Sequence, residues 1–277
     1  MVRTLTLLIL VGTLTLRPMA QKTSNQRAEW NQPLQPFHLI GNIYYVGAKG
    51  VSAFLIVTPM GSILLDGGLP ETAAQIARNV AKLGFRLNDV KFLLNSHAHF
   101  DHAGGLAELK RLSGATMVAS SGDAPALRAG GRGMPAVSID RIVGDGDTVR
   151  VGDATLTANV TPGHTKGCTT WTMTTNENDR TYSVVFYCST SVVDRLTGNT
   201  RYPQIVTDYE RSFRKLRALS SDVFLAPHPG FFDMEDKRER MKVGGPNPFV
   251  DSTELHRFVE NSERQFRVEL EKQRSQR

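Results

Sequence analysis

The sequence predicts an α+β fold in which two β-sheets pack face to face beneath outer helices, a four-layer αββα sandwich. Three observations predict it. Strand meanders broken by helical segments come in two successive rounds, no shift in composition separates the rounds, and 277 residues, 40% hydrophobic and 22% charged, can bury one sizeable core. A half-buried sheet needs a partner for its apolar face, and helices cover what remains. Residues 21–277 are therefore expected to form a single domain, with exposed Gly/Pro-rich loops at Gly130 to Pro135 and Val243 to Pro248.

The N-terminus stands apart from this domain. Met1-Val2-Arg3 leads into Leu5 to Leu16, an apolar stretch diluted by threonines and too short for a stable membrane span. Residues 1–20 read as a signal peptide cut after Ala20, and an uncleaved anchor or a buried strand is the alternative. Such a leader places the protein in the periplasm or outside the cell, with no membrane attachment once it is removed. Its loss takes away Arg3 and Arg17 and lowers the formal charge from +6 to +4. The remaining basic excess is interleaved with acids near the C-terminus, as on a solvated helix face, and gives no case for nucleic acid or for a protein partner.

Taken in order, Ile43 to Val46, Ala53 to Val57 and Ser62 to Leu65 are β-rich runs punctuated by Gly, Pro and Asn. Pro70 suits the first position of a helix whose Ala73, Ile76, Ala77, Val80 and Ala81 share one face. Val90 to Leu94 is a short apolar run that reads as a buried strand, and Leu106, Leu109 and Leu112 return to helical spacing. Further strands are expected at residues 115–119, 148–151, 154–160, 169–174, 181–187 and 223–225, with helices over 208–219 and from 252 to about 271.

Between the strand at 90–94 and the following helix lies His97-Ala98-His99-Phe100-Asp101-His102, three of the chain's seven histidines with a carboxylate among them. Imidazole and carboxylate are zinc ligands, and alternate positions on extended backbone send His97 and His99 to one side. His164, in Pro162-Gly163-His164-Thr165, and His228, in Pro227-His228-Pro229-Gly230, also follow expected strands. Either alone reads as a surface histidine, but beside the cluster both become candidate ligands. His38 and His256 read as ordinary surface or packing residues, as do Trp30 and Phe37. Asp66, before Gly67-Gly68, is either a turn residue or the partner that orients a ligand histidine.

H-x-H-x-D-H after a strand, then P-G-H-T, then a late histidine, resembles the metallo-β-lactamase superfamily, and in particular the third subclass of class B β-lactamases. The similarity runs from about Ile43 to Phe249 and includes Leu65-Asp66-Gly67-Gly68 and Tyr202-Pro203. It implies the metallo-β-lactamase type of αββα sandwich and two zinc ions per chain. His97, His99 and His164 would hold one, and Asp101, His102 and His228 the other. Many hydrolases of that superfamily carry an aspartate bridging the metals, and the first lactamase subclass a cysteine ligand, where this chain aligns Ser189. Serine there is what the third subclass shows, so the resemblance implies that Ser189 and Ser191 contact the carboxylate of a β-lactam substrate.

The implied activity is hydrolysis of the β-lactam amide. Zinc held by three neutral histidines lowers the pKa of a bound water to about 7 and so supplies hydroxide at neutral pH. Asp101 would direct that hydroxide while also serving as a ligand. A lactone or thioester hydrolase of the same fold, or a secreted zinc-binding protein without catalysis, are the alternatives; the full ligand set argues against the last.

Cys168 and Cys188 are not needed by this scheme. Residues 169–174 and 181–187 flank the polar cluster Asn176 to Asp179 and read as a hairpin. With the turn centred near Asn178, residues whose numbers sum to 356 oppose each other, and the two cysteines do. A disulfide is expected in an exported chain, against the alternative of two separately buried thiols.

Overall fold

The computed structural model describes residues 26–131 and 133–276. The expected signal peptide, residues 1–20, lies outside the described residues. Residues 26–30 form a short helix, α1. The first sheet has seven strands in the order β1(Phe37–Ile40), β2(Ile43–Tyr45), β3(Phe54–Thr58), β4(Gly61–Leu65), β5(Val90–Leu94), β6(Thr116–Ser120) and β7(Arg141–Val143). Its first four strands form an antiparallel meander, whereas β4 to β7 are parallel. Parallel neighbours need long crossovers, which α2(Ala73–Lys82) and α4(Leu106–Ser113) supply. The second sheet has the order β12(Val223–Leu225), β11(Arg180–Phe186), β10(Thr169–Glu177), β9(Ala154–Val160) and β8(Thr148–Val151).

Alternation along the strands builds the layers. On β3 and β4, Phe54, Ile56, Ile63 and Leu65 join a cluster containing Ala158, Trp171 and Val184 of the second sheet. Leu55 and Leu64, one residue out of step, join Ile76 and Val80 of α2 with Leu106 and Leu109 of α4. Tyr209 and Phe213 of α6(Ile205–Arg217) and Phe266 of α8(Glu254–Ser275) pack into the cluster of the second sheet. Helices thus cover both sheets, giving the expected αββα order. Leu106 and Leu109 are 0% exposed, so cutting either to alanine costs about 2–5 kcal/mol. α4 stops at Gly114, whose φ of 71° is the left-handed cap that glycine adopts without strain.

The structure adds elements the sequence pattern did not signal. α1, α3(Phe100–Ala103), α5(Ala124–Ala129), β7 and α7(Met234–Val243) are all short or lack an apolar stripe. In α7 charges surround the helix on every side, so a search for a 3.6-residue period finds nothing. Pro70 opens a 3₁₀ turn, Pro70–Thr72, before α2 begins.

The hairpin of β10 and β11 is one residue out from the expected register. Glu177 pairs with Arg180 and Trp171 with Phe186, because Asn178 and Asp179 form a two-residue turn, both at positive φ. Paired numbers therefore sum to 357, and Cys168 and Cys188 are not opposite each other. The disulfide forms nonetheless, with Cα atoms 5.8 Å apart. Both cysteines lie just beyond the paired residues, where the ladder no longer dictates their separation.

Candidate metal centre

The six candidate ligands meet where strand ends of both sheets converge. β5 runs out at Leu94, and the loop and short helix α3 that follow deliver His97, His99, Asp101 and His102. His164 comes from the connection between β9 and β10, and His228 from the turn after β12. Hydrogen bonds lash the two sheets together here: Trp171 Nε1 donates to Asn95 O (3.1 Å) and the Thr169 amide to Ser96 O (2.8 Å). Gly163, at φ 140°, lets the chain pass Tyr209, since a Cβ there would sit 2.7 Å from the ring.

The six divide into two groups of three. The nearest ligand atoms of His97, His99 and His164 lie within 4.8 Å of one another, as do those of Asp101, His102 and His228. In the second group His102 Nε2 is 3.3 Å from His228 Nε2 and 3.3 Å from Asp101 Oδ2, and His228 Nε2 is 3.4 Å from Asp101 Oδ2. His97 Nε2 and His164 Nε2 are 3.2 Å apart. A tetrahedral metal with bonds of about 2.0–2.1 Å separates its ligand atoms by about 3.3–3.4 Å, which these spacings match.

Hydrogen bonds on the far ring nitrogens set the tautomers. His164 Nδ1–H donates to Ser191 O (2.7 Å) and His228 Nδ1–H to Gly50 O (2.9 Å), which leaves both Nε2 lone pairs facing inward. Facing lone pairs at such distances repel unless a cation sits between them. The donor set and its spacing therefore fit a divalent metal in each group.

Electrostatics agrees with that use. Burial and the neighbouring histidines hold His97 well below the ordinary imidazole range, and burial pushes His164 down to about 3, so both are neutral and able to ligate. Asp101 is held far below the usual carboxylate range: burial acts against ionisation, but the charge of His102 beside it prevails.

Asp66 supports the cluster from below. It is buried, takes a positive φ of 65°, and accepts from the Ser96 amide (2.7 Å) and Ser96 Oγ (2.7 Å), while Ser96 Oγ lies 3.1 Å from His97 Nδ1. Its Oδ2 is also 4.0 Å from His102 Nδ1. Asp66 is thus a turn residue whose carboxylate holds Ser96, the residue before His97.

Ser189 and Ser191 stand differently from one another. Ser189 is buried and its Oγ accepts from the Ser191 amide (3.2 Å), the local capping use of a hydroxyl. Ser191 is exposed, and its carbonyl takes hydrogen bonds from both His164 and the Tyr209 hydroxyl (2.8 Å). The link from this stretch to the histidines is thus a main-chain carbonyl. A cavity of about 700 Å³ bounded by Ser191, Asp194, Gln265 and Phe266 includes none of the six candidate ligands.

Two residues matter here that sequence reasoning missed. Asp123, 3% exposed, accepts from the Ala98 amide (2.8 Å) and Thr165 Oγ1 (2.8 Å) through one oxygen and from the Gly167 amide (2.9 Å) through the other. One carboxylate therefore ties the turn between His97 and His99 to the loop of His164. It stands at the N-cap position of α5, yet makes no cap bond there. Trp30, read as packing, has its ring centroid 5.1 Å from that of His228, over the second group. Phe37 does pack, stacking on Tyr45, and His38 bonds Gly41 O on the surface.

The superfamily model for metallo-β-lactamases matches residues 46–228, from the end of β2 to the last candidate histidine. The chain belongs to the metallo-β-lactamase superfamily. It is a hydrolase of that superfamily, and solved subclass B3 metallo-β-lactamases share its fold over most of its length. BJP-1 of Bradyrhizobium japonicum is 43% identical, covering 89% of this chain and 97% of its own, at a TM-score of 0.86. FEZ-1 of Legionella gormanii is 37% identical, covering 88% and 98%, also at 0.86. Among curated relatives, a metal-dependent hydrolase of Anaeromyxobacter dehalogenans is 28% identical over 72% of this chain and 69% of its own. A hydroxyacylglutathione hydrolase of Rhodospirillum rubrum is 35% identical, but over only 35% of this chain and 34% of its own. Among the described residues no helix is long and apolar enough to cross a membrane.

Proposed function

We propose that this chain is an exported β-lactamase that opens the amide bond of β-lactam antibiotics with two zinc ions and thereby confers resistance. The observation that carries the reading is the second group, in which His102 completes a triangle with Asp101 and His228. Likeness to subclass B3 enzymes over nearly their whole length supports the same substrate class.

In this reading His97, His99 and His164 hold one zinc and Asp101, His102 and His228 the other. Zinc bound there would supply Lewis acidity and would acidify a water. Asp101, held ionised, would orient the attacking oxygen and accept its hydrogen bond. Ser191, exposed beside His164, offers its hydroxyl to the substrate carboxylate, and Ser189 braces it from beneath. A removed leader, residues 1–20, delivers the domain to the periplasm or beyond. The six ligands and the two serines act on a small molecule and call for no partner chain.

Hydrolysis of a chromogenic cephalosporin, lost on chelation and restored by zinc, tests the reading, with metal counted by elemental analysis. The hydroxyacylglutathione hydrolase relatives favour a second reading, thioester hydrolysis. Turnover of a glutathione thioester with no turnover of any β-lactam would select it.

A further inference from the structure

Immediately beside the three-histidine group lies a second set of metal-ligating atoms. The sulfurs of Cys168 and Cys188 and a ring nitrogen of His97 are all within 4.8 Å of one another, and all three residues are buried. The sulfurs also lie against main-chain oxygens of the site, Cys188 Sγ 3.2 Å from Ser96 O and Cys168 Sγ 3.4 Å from Ser189 O. As a disulfide they have no free thiolate, so the set cannot ligate. Reduction changes this. A tetrahedral metal with sulfur bonds of about 2.3 Å asks its two sulfurs to stand about 3.8 Å apart. Cysteines with Cα atoms 5.8 Å apart can meet that by rotating their side chains.

We propose that Cys168, Cys188 and His97 form a latent site for a thiophilic divalent cation, closed while the disulfide is intact and opened by its reduction. A dithiol reductant supplies two electrons and two protons; the S–S bond breaks, two thiols form, and the reductant becomes a disulfide. Each thiol then releases its proton to solvent as the metal binds. Two thiolates and one imidazole prefer cadmium or zinc over harder cations. Resting on the three-histidine reading above, one further consequence follows: His97 belongs to both sites, so a metal held by the cysteines draws it away from His99 and His164. The disulfide would then do more than brace two loops. It commits His97 to the catalytic group.

The test uses the full chain prepared with its bridge formed and, separately, with it reduced and kept from air, each given one equivalent of cadmium. Thiolate-to-cadmium charge transfer gives an ultraviolet band that histidine and carboxylate ligands cannot produce, and protection of the thiols from alkylation is counted in parallel. The reduced chain is expected to show the band and to protect both thiols. The bridged chain and the Cys168→Ala/Cys188→Ala variant should show neither. His97→Ala in the reduced chain should weaken cadmium at the thiolates by more than about 100-fold, beyond what losing a ligand's outer hydrogen bond costs. No band in the reduced chain, or a band and affinity unchanged by His97→Ala, would overturn the proposal. If the reduced chain is unfolded by circular dichroism, cadmium must restore the fold with the band; failure to do so also overturns it. None of these readouts uses turnover, so an inactive enzyme that shows the band would count against the β-lactamase reading alone.

Discussion

Removing the Asp123 carboxylate should loosen the three-histidine group by untying the loops that carry it. Its oxygens take three hydrogen bonds, from Ala98, Thr165 and Gly167. Hydrogen bonds to a charged group contribute about 1.5–3 kcal/mol each. Burial pushes the carboxyl up to about 6 even with these three bonds in place, so keeping it ionised at pH 7 costs roughly 3 kcal/mol net of them. Asp123→Ala strands three donors, two main-chain amides and a hydroxyl, at about 1–3 kcal/mol each, and should be destabilised by a few kcal/mol at pH 7. Zinc affinity of the first group should fall about 10–100-fold, as when an outer partner of a ligand is lost. The pH dependence is a second signature. Because the folded carboxyl binds its proton more tightly than the unfolded one, its stabilising contribution is complete below about 3.8 and declines as pH rises through about 6. The stability gap between wild type and Asp123→Asn should therefore move by up to roughly 3 kcal/mol against the wild type across that window. Denaturant midpoints at several pH values, with zinc titrations on the same samples, measure both. An Asp123→Ala chain that keeps its midpoint and its metal would refute the coupling of the two loops.

Other changes have equally direct outcomes. His164→Ala removes a corner of the first group and should bring β-lactam turnover to background; a near-normal kcat would reject its role. Ser96→Ala deletes the hydroxyl between Asp66 and His97, and zinc affinity should drop about 10–100-fold with the fold retained by circular dichroism. Replacing both Ser189 and Ser191 by alanine should raise KM more than it lowers kcat, because a carboxylate contact is already made in the ground state; loss of zinc instead would place a ligand in that stretch. The denatured, unreduced chain should titrate with no free thiol, and Cys168→Ala/Cys188→Ala should lose about 3 kcal/mol, as for a bridge of sequence separation 20.

The sequence by itself determined the elements and the chemistry that depend on short-range pattern. Val90–Leu94, Thr148–Val151 and Ala154–Val160 fall where their apolar runs place them, since burial rewards a period of two or a continuous strand. The six candidate ligands were legible because four sit in one short segment and the other two carry Pro/Gly turns, while their division into two groups of three came from the resemblance. The disulfide was legible too, though through a register one residue off: only the turn at Asn178 and Asp179, both at positive φ, decides that the ladder sums to 357. What the tertiary structure alone decided are the contacts between segments far apart in the chain. Asp123 carries no signal in the sequence, and its burial between the loops of His97 and His164 depends on how β6 and the β9–β10 connection pack. Trp30 reads as an ordinary packing residue until the fold lays it beside His228. The Gly50 and Ser191 carbonyls that fix the histidine tautomers carry no side-chain signal at all. A local pattern is written in the spacing of residue types, whereas a hydrogen bond across about a hundred residues exists only once packing has brought its two ends together.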